Sequence, residues 1–399
     1  MTDMTLTFDA VSEPRPGPKW AARWRRSWPA YEAWFTARGG DQGPSRAECA
    51  AALARYMPEL VAVHRRLTML AGGSDRAARF LSTWCPPRYL GGCSIAAAAD
   101  GGEVRLVRNY DLSPELNEGL LLRSEWTGRA VMGMVEFLWG LSDGINDAGL
   151  AVALAFGGRA ETARGFGVTT IVRYVLETCD TVDEALAALR RIPSHMAYNL
   201  VLADASGRMA SVELSPGGGI RVMPQAIATN HQSGAARADR SRFTRTFERH
   251  AHLKALRAGP RTLRRHFREP PLLQDRYREG FGTLFTAEFD TKARSLGLTM
   301  GAAHWDQALD RFVERRQVVD YGAAASPAPL PERAARCGTR CDDDAAWVAW
   351  ARIDWSSLAR DYAAGRGQPV ERYLPGAGRN PRGNRGAGRD GPWPHSWCS

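Results

Sequence analysis

Nowhere in its 399 residues does the chain carry a run of about 18 or more apolar residues, so it offers no segment able to cross a bilayer as a helix. The stretch from Met1 to Pro18 holds acidic residues and no apolar centre, which does not fit a secretory signal; no membrane association and a cytoplasmic location are expected. Cysteine is sparse: seven scattered thiols in a chain this long do not make a disulfide scaffold. Cys337 and Cys341 lack both a second pair at zinc-like spacing and a histidine partner, so no metal site is expected. Gly165-Phe166-Gly167, ahead of a helical pattern, lacks the third glycine of a dinucleotide loop, and no cofactor is expected. There is no internal repeat.

The charge is one-sided but less informative than it looks. Lys and Arg number 53 against 43 Asp and Glu, a formal net charge of +10. Arginine gathers at Arg23-Trp24-Arg25-Arg26, from Arg261 to Arg268, and in the final segment. Such arginines usually form the solvated faces of amphipathic helices, so no nucleic-acid partner is expected.

What is present falls into four zones. Residues 1–92 read as helical: Trp20 to Arg38, then Ser45-Arg46-Ala47-Glu48 as a capping box opening a helix toward Tyr56, then Glu59 to Leu70 after Pro58. Trp20, Trp24, Trp28 and Trp34 lie at near-helical spacing, which suits packing more than a binding face. From Cys93 to Phe156 the pattern is strands: Ser94–Ala99, Val104–Asn109, Gly133–Trp139 and Leu150–Phe156, with Gly144 to Gly149 as a turn. Helices follow over Val168–Cys179 and from Thr181 to Arg191. Strands resume at Tyr198–Ala203 and Met209–Leu214, helices span about 240–268, and a hairpin pairs Thr283–Phe289 with Ser295–Met300. Runs of strands joined by tight turns and interrupted by helical pairs predict an α+β protein of antiparallel sheet covered by helices. A catalytic core over 93–315 is expected, then a partly helical extension over 316–362 and a flexible Gly-, Pro- and Arg-rich tail over 363–399.

The chemistry concentrates at Gly91-Gly92-Cys93-Ser94-Ile95 and Val107-Arg108-Asn109-Tyr110-Asp111. With Asp100-Gly101-Gly102 as the turn, this is a β-hairpin that brings Arg108 and Asp111 back beside the Cys93 thiol. A thiol close to a guanidinium ionises more easily, and a nearby carboxylate suits an ammonium group. Both fit a cysteine nucleophile released as a new N-terminus by cutting Gly92–Cys93.

These residues carry a resemblance. Gly92-Cys93 with Arg108-Asn109-Tyr110-Asp111, Asp143 to Leu150, Thr229-Asn230, Ser241-Arg242-Phe243 and Thr283-Leu284-Phe285-Thr286 follow one another as in the N-terminal-nucleophile hydrolases. In particular the chain resembles the branch containing isopenicillin N acyltransferase and choloylglycine hydrolase. The resemblance spans about 93–300, and His231-Gln232 suits the acyltransferase side. Ser94 departs from the Thr these proteins commonly carry after the Cys, but keeps a hydroxyl.

The resemblance implies an αββα sandwich of two antiparallel sheets between helix layers. It also implies autocleavage into a 1–92 chain that stays associated with a 93–399 chain, and it leaves homo-oligomeric assembly open. Asp111 would orient the new α-amine, Arg108 would favour the thiolate, and Asn230 with the backbone N–H of Phe156 would form the oxyanion hole. Arg242 would be a supporting arginine, with Arg245 as its alternative. The α-amine, with a pKa around 7.7–8.0, is matched to a thiol near 8.5, so no distant histidine is required; a papain-like pairing with His231 lacks any flanking signature. Three functions follow: an amidase passing the acyl group to water, an acyltransferase passing it to an amine, and an unprocessed binding protein of the same fold. The substrate pocket is expected from the loops at 113–123 and 157–166 and the helices after Asn230.

Overall fold

A computed structural model describes residues 4–89, 92–233 and 241–321. The chain opens with strand β1 (Thr5–Ser12), then α1 (Pro18–Ala37), α2 (Arg46–Tyr56), α3 (Val61–Leu70) and α4 (Asp75–Ser82). The Ser45–Glu48 capping box forms with both of its bonds, at 3.3 and 3.0 Å. A hairpin follows, β2 (Gly92–Asp100) and β3 (Glu103–Leu112), turning on Gly101 and Gly102 at φ +56° and +80°, a backbone only glycine adopts cheaply. Next come β4 (Leu120–Ser124), β5 (Val131–Glu136), β6 (Gly140–Asn146), β7 (Ala151–Phe156), α5 (Val168–Thr178), α6 (Val182–Arg191), β8 (Tyr198–Ala203), β9 (Met209–Leu214), β10 (Ile220–Met223) and β11 (Ile227–Ala228). The last described part holds α7 (Ser241–Thr244), α8 (Thr246–Ala255), α9 (Pro260–Phe267), β12 (Asp275–Arg276), β13 (Phe281–Asp290), β14 (Ser295–Met300), β15 (Ala303–Ala308) and β16 (Arg315–Asp320).

The strands form two sheets. The nine-stranded sheet runs β10-β9-β8-β7-β6-β5-β4-β1-β16, antiparallel except where β1 lies parallel to β4. The seven-stranded sheet runs β11-β2-β3-β13-β14-β15, with β12 on β13. Alternate residues of each face the other sheet, and Ile95, Leu106, Ile145, Val201, Phe285 and Leu298 fill the layer between them. Helix α5 and the N-terminal helices cover the nine-stranded sheet; α8 and α9 cover the other with Leu253, Leu263 and Phe267. The architecture is the expected α+β αββα sandwich.

The N-terminal zone is not all helix. Thr5-Leu6-Thr7-Phe8-Asp9-Ala10 alternates with period two, burying Phe8 and Ala10, and β1 enters the nine-stranded sheet between β4 and β16. So short an alternation is easily lost beside the long helical pattern that follows. Strands β4, β6, β10, β12, β15 and β16 likewise match no strand expected from the sequence, and β16 straddles the expected boundary at 315/316. The Asp143-Gly144-Ile145-Asn146 motif is strand with its turn at the end. Asn146 holds that turn through the N–H groups of Ala148 and Leu150, and gives its amide to the carbonyls of Leu176 and Cys179. Cys337, Cys341 and the 363–399 tail lie outside the described residues. Trp20, Trp24 and Trp28 stack on one another, 5.4 and 4.3 Å between ring centres, in line with a packing role.

Candidate active site

The hairpin places Cys93 by register. Gly92 lies opposite Asp111, Cys93 opposite Tyr110 and Ile95 opposite Arg108. Cys93, Arg108 and Tyr110 therefore face the inter-sheet side, while Ser94, Asn109 and Asp111 face the helices. Gly92 cannot carry a side chain here: a Cβ would fall 2.2 Å from the ring of Phe281 and 2.9 Å from the Asp111 carbonyl.

On the sulfur side, Arg108 points Nη2 at Cys93 Sγ, 3.1 Å away. Its Nη1 donates to Asp143 Oδ2 at 2.6 Å and to Ser142 Oγ at 2.8 Å, all buried between the sheets. Arg108 is thus where the sequence put it, but its charge is shared with Asp143. Burial dominates at Cys93 and pushes its thiol up to about 11; Arg108 offsets this only in part, and the Asp111 and Glu136 carboxylates add to the rise. The expectation of an easily ionised thiol is therefore reversed in this structure. The processing that the resemblance implies would need the thiolate, so cleavage of the freshly refolded chain is expected to quicken by about tenfold per pH unit between pH 6 and 8. A stopped time course on denaturing gels measures this, and a flat profile would contradict it.

On the other side sits a residue the sequence reading missed. Arg249, fully buried on α8, donates from Nη1 to the Cys93 carbonyl (2.6 Å) and Ser94 Oγ (2.8 Å), and from Nη2 to Asn230 Oδ1 (2.6 Å). It pairs with Asp111 Oδ2 at 3.6 Å. Arg242 is exposed on α7 and does not reach the site, and exposed Arg245 is held by Glu248. The buried arginine beside Cys93 is therefore Arg249, and neither Arg242 nor Arg245, expected there, reaches it. Positions 246, 249 and 253 are the buried stripe of α8 at i, i+3 and i+7, so an arginine inside that stripe was the available signal. Ser94 shows why a hydroxyl after the Cys suffices: it receives Arg249.

Asn230 lies beside Cys93, 99 % buried, and its Oδ1 accepts the Cys93 backbone N–H at 3.1 Å. A guanidinium has no acceptor, so the Arg249 contact fixes the amide with its oxygen toward Cys93 and its NH2 toward Phe156. That NH2 donates to the Phe156 carbonyl at 3.3 Å. Gly157, not Phe156, bonds across, with its N–H on the carbonyl of Ala197, just ahead of β8, at 2.9 Å. In antiparallel pairing the N–H and C=O of Phe156 then leave β7 together on the side away from β8, so its N–H and the Asn230 NH2 share one neighbourhood. Asp111 accepts from Thr283 Oγ1 at 2.7 Å, while its Oδ2 has no hydrogen-bond partner among the described residues. Burial raises its pKa, with Arg249 acting the other way.

Cys93 opens onto a cavity of about 640 Å³. The 113–123 loop lines it as expected, through Glu115, Leu116, Asn117 and Glu118. Residues 157–166 and the helices after Asn230 do not; α1 supplies that wall with Arg23, Tyr31 and Trp34. Glu118 and Glu136 also face the cavity, and neither carried a sequence signal. Among the described residues no cluster of His, Cys, Asp and Glu suits a metal ion, and no helix is long and apolar enough to cross a membrane.

The family described as acyl-coenzyme A:6-aminopenicillanic acid acyl-transferase matches residues 98–305, just over half of the chain. Among solved structures, penicillin V acylase from Agrobacterium tumefaciens is similar at 16 % identity, covering 58 % of this chain and 92 % of that one, with a TM-score of 0.40. A mutant of conjugated bile acid hydrolase from Clostridium perfringens is similar at 13 % identity, covering 58 % and 98 %, with a TM-score of 0.37. The Caenorhabditis elegans ortholog of N-acylethanolamine-hydrolyzing acid amidase is similar at 16 % identity, covering 50 % and 92 %, with a TM-score of 0.37. No curated protein matches the chain.

Proposed function

From the premise that the chain belongs to the acyl-coenzyme A:6-aminopenicillanic acid acyl-transferase family, we propose that it is a self-processing cysteine amidohydrolase acting on acyl-type C–N amide bonds. One observation carries this: Cys93, directly after Gly92, turns its sulfur to the cavity beside Arg108 while its nitrogen is held by Asn230. In maturation the Cys93 thiol adds to the Gly92 carbonyl, the C–N bond breaks, and the acyl group passes to sulfur as the α-amine is freed. Water then hydrolyses that thioester. In turnover the α-amine takes the thiol proton, sulfur attacks the substrate amide, the amine product leaves with a proton, and water releases the acid.

The residues around Cys93 fit named tasks. Arg108 steadies the thiolate. The Asp111 oxygen that has no hydrogen-bond partner among the described residues is the acceptor a new ammonium group needs. Arg249 holds the strand, Asn230 and Asp111 in one arrangement. The Asn230 NH2 and Phe156 N–H are the donors for the oxyanion. Passing the acyl group to an amine in place of water gives the acyltransferase reading, which the family's description supports and which shares every step up to the thioester.

Intact-mass measurement of purified protein tests the reading. Fragments 1–92 and 93–399 are expected; full-length chain that nevertheless hydrolyses amides would overturn the mechanism, and an intact, inactive chain would favour the binding-protein reading. In processed enzyme, Asn230→Ala is expected to lower kcat by roughly 100- to 1000-fold, as for single oxyanion donors elsewhere, with a much smaller change in KM. Because Asn230 also satisfies Arg249 and the Cys93 nitrogen, the variant should lose about 1–3 kcal/mol of stability as well. Loss of stability with unchanged kcat would reduce Asn230 to a positioning residue.

A further inference from the structure

The cavity's inner wall combines two features that the hydrolytic chemistry does not use. Tyr31, Tyr89, Tyr110, Phe137 and Tyr198 line it as a near-continuous ring surface: Tyr89 lies 4.5 Å from Phe137 and 5.9 Å from Tyr198, and Tyr31 lies 5.7 Å from Phe137, between ring centres. Among these rings stand the carboxylates of Glu118 and Glu136.

Neither carboxylate has an ion-pair partner among the described residues. Glu118 Oε1 accepts from the Tyr31 hydroxyl and the Leu138 N–H, while its buried Oε2 has no hydrogen-bond partner. Arg23 comes near, but donates to the Glu118 backbone carbonyl (3.1 Å) and to Asp9 (3.1 Å) instead of the carboxylate. Glu136 is met by the Tyr110 hydroxyl, and the cation that influences it most, Arg108, spends its Nη groups on Asp143, Ser142 and Cys93. At the mouth the balance differs: Arg23 and Arg316 share Asp9, while Arg26 and Glu115 complete the charged lining. There Arg23, Arg26 and Arg316 face Asp9 and Glu115, whereas the two inner carboxylates have no ion pair among the described residues. Burying an unpaired carboxylate is costly, and aromatic rings attract a cation, so both features favour the same ligand charge. A purely alkyl acyl group would leave both acidic side chains facing apolar surface, where burial already pushes Glu118 up and Glu136 up to about 7; a cation beside them would hold them ionised, and an anionic group would meet no such partner.

We propose that the substrate carries a protonated amine, seated between Glu118 and Glu136 among the rings of Tyr31, Tyr89 and Phe137, with its amide carbonyl at Cys93. This rests on the amidohydrolase or acyltransferase reading above and narrows it to cationic, amine-bearing amides.

The test compares matched substrates on wild-type enzyme: ω-aminoacyl anilides with acyl chains of three to six carbons against alkanoyl anilides of equal length. At the best-fitting length the amine is expected to raise kcat/KM by at least about tenfold, since a site built for a polar group rejects the analogue lacking it. In E118Q and E136Q that ratio should fall toward one, with the double variant lowest. Alkanoyl anilides hydrolysed as well as their amino counterparts, or a preference surviving in the double variant, would overturn the proposal. A calorimetric titration of the same compounds into Cys93→Ala protein needs no turnover. Tighter binding of the amine there, with no hydrolysis by wild type, would retain the ligand class and sink the amidohydrolase reading. Equal binding in that titration would overturn the ligand class alone.

Discussion

Cys93→Ala protein is expected to be isolated as one uncut chain with no measurable amide turnover, while wild-type protein separates on denaturation into 1–92 and 93–399. The alanine removes the only atom that can attack the Gly92 carbonyl, so the α-amine is never released and the base for turnover never forms. Cys93→Ser keeps an attacking atom of much lower nucleophilicity near neutral pH, and should process slowly, with turnover lost. Folding is not at stake: the side chain is small, and Arg108 retains Asp143 and Ser142. The same experiment checks an architectural consequence. Strand β1 lies inside the nine-stranded sheet between β4 and β16, and α1 walls the cavity. The two fragments of wild-type protein should therefore co-elute on native size exclusion. Separation there without loss of activity would show that the N-terminal chain is dispensable, against the placement of Tyr31 and Trp34. Normal cleavage of Cys93→Ala would remove Cys93 from the mechanism.

Arg249→Met should be the most damaging change away from the nucleophile. The methionine fills much the same volume, but it leaves Asp111 a buried carboxylate without its cation, removes the guanidinium from the Cys93 carbonyl and Ser94, and leaves Asn230 Oδ1 with the Cys93 N–H alone. Removing one partner of a buried pair typically costs about 3–5 kcal/mol, most of it from the charge left behind. A large fall in Tm is expected, together with lost processing in whatever protein folds. Arg249→Lys keeps the charge but cannot reach the same acceptors with one fork, so it should recover more stability than processing. Arg242→Ala, at the exposed position, should change neither. Differential scanning calorimetry with a cleavage assay separates these outcomes. A stable, normally processed Arg249→Met would show that the site does not depend on this arginine.

The contrast between Arg242 and Arg249 shows where sequence reading stops. The order of short motifs located the hairpin, Cys93, Arg108, Asp111 and Asn230, because each lies in or beside a strand whose period of two fixes its face. The arginine that completes the site lies on a helix beyond residues 234–240, where chain distance says nothing about which turn points inward. Glu136 is similar. It ends β5 on the same alternate face as Met132 and Met134, and the turn into β6 right after it runs through Phe137 and Leu138 at φ of +57° and +68°. Nothing local announces such a backbone for Glu-Phe-Leu.

By itself, the sequence determined the α+β class, the hairpin that carries the thiol and the residues flanking it, since these depend on hydrophobic period, glycine turns and neighbours close along the strand pair. Only the tertiary structure decided that β1 completes a sheet, that α1 forms a cavity wall, and that Cys93 lies deep enough for burial to outweigh Arg108. It also decided which arginine joins Cys93, Asn230 and Asp111. Each of these depends on segments far apart in the chain being brought into contact, and on the dielectric and charge of the resulting interior, which residue order does not contain.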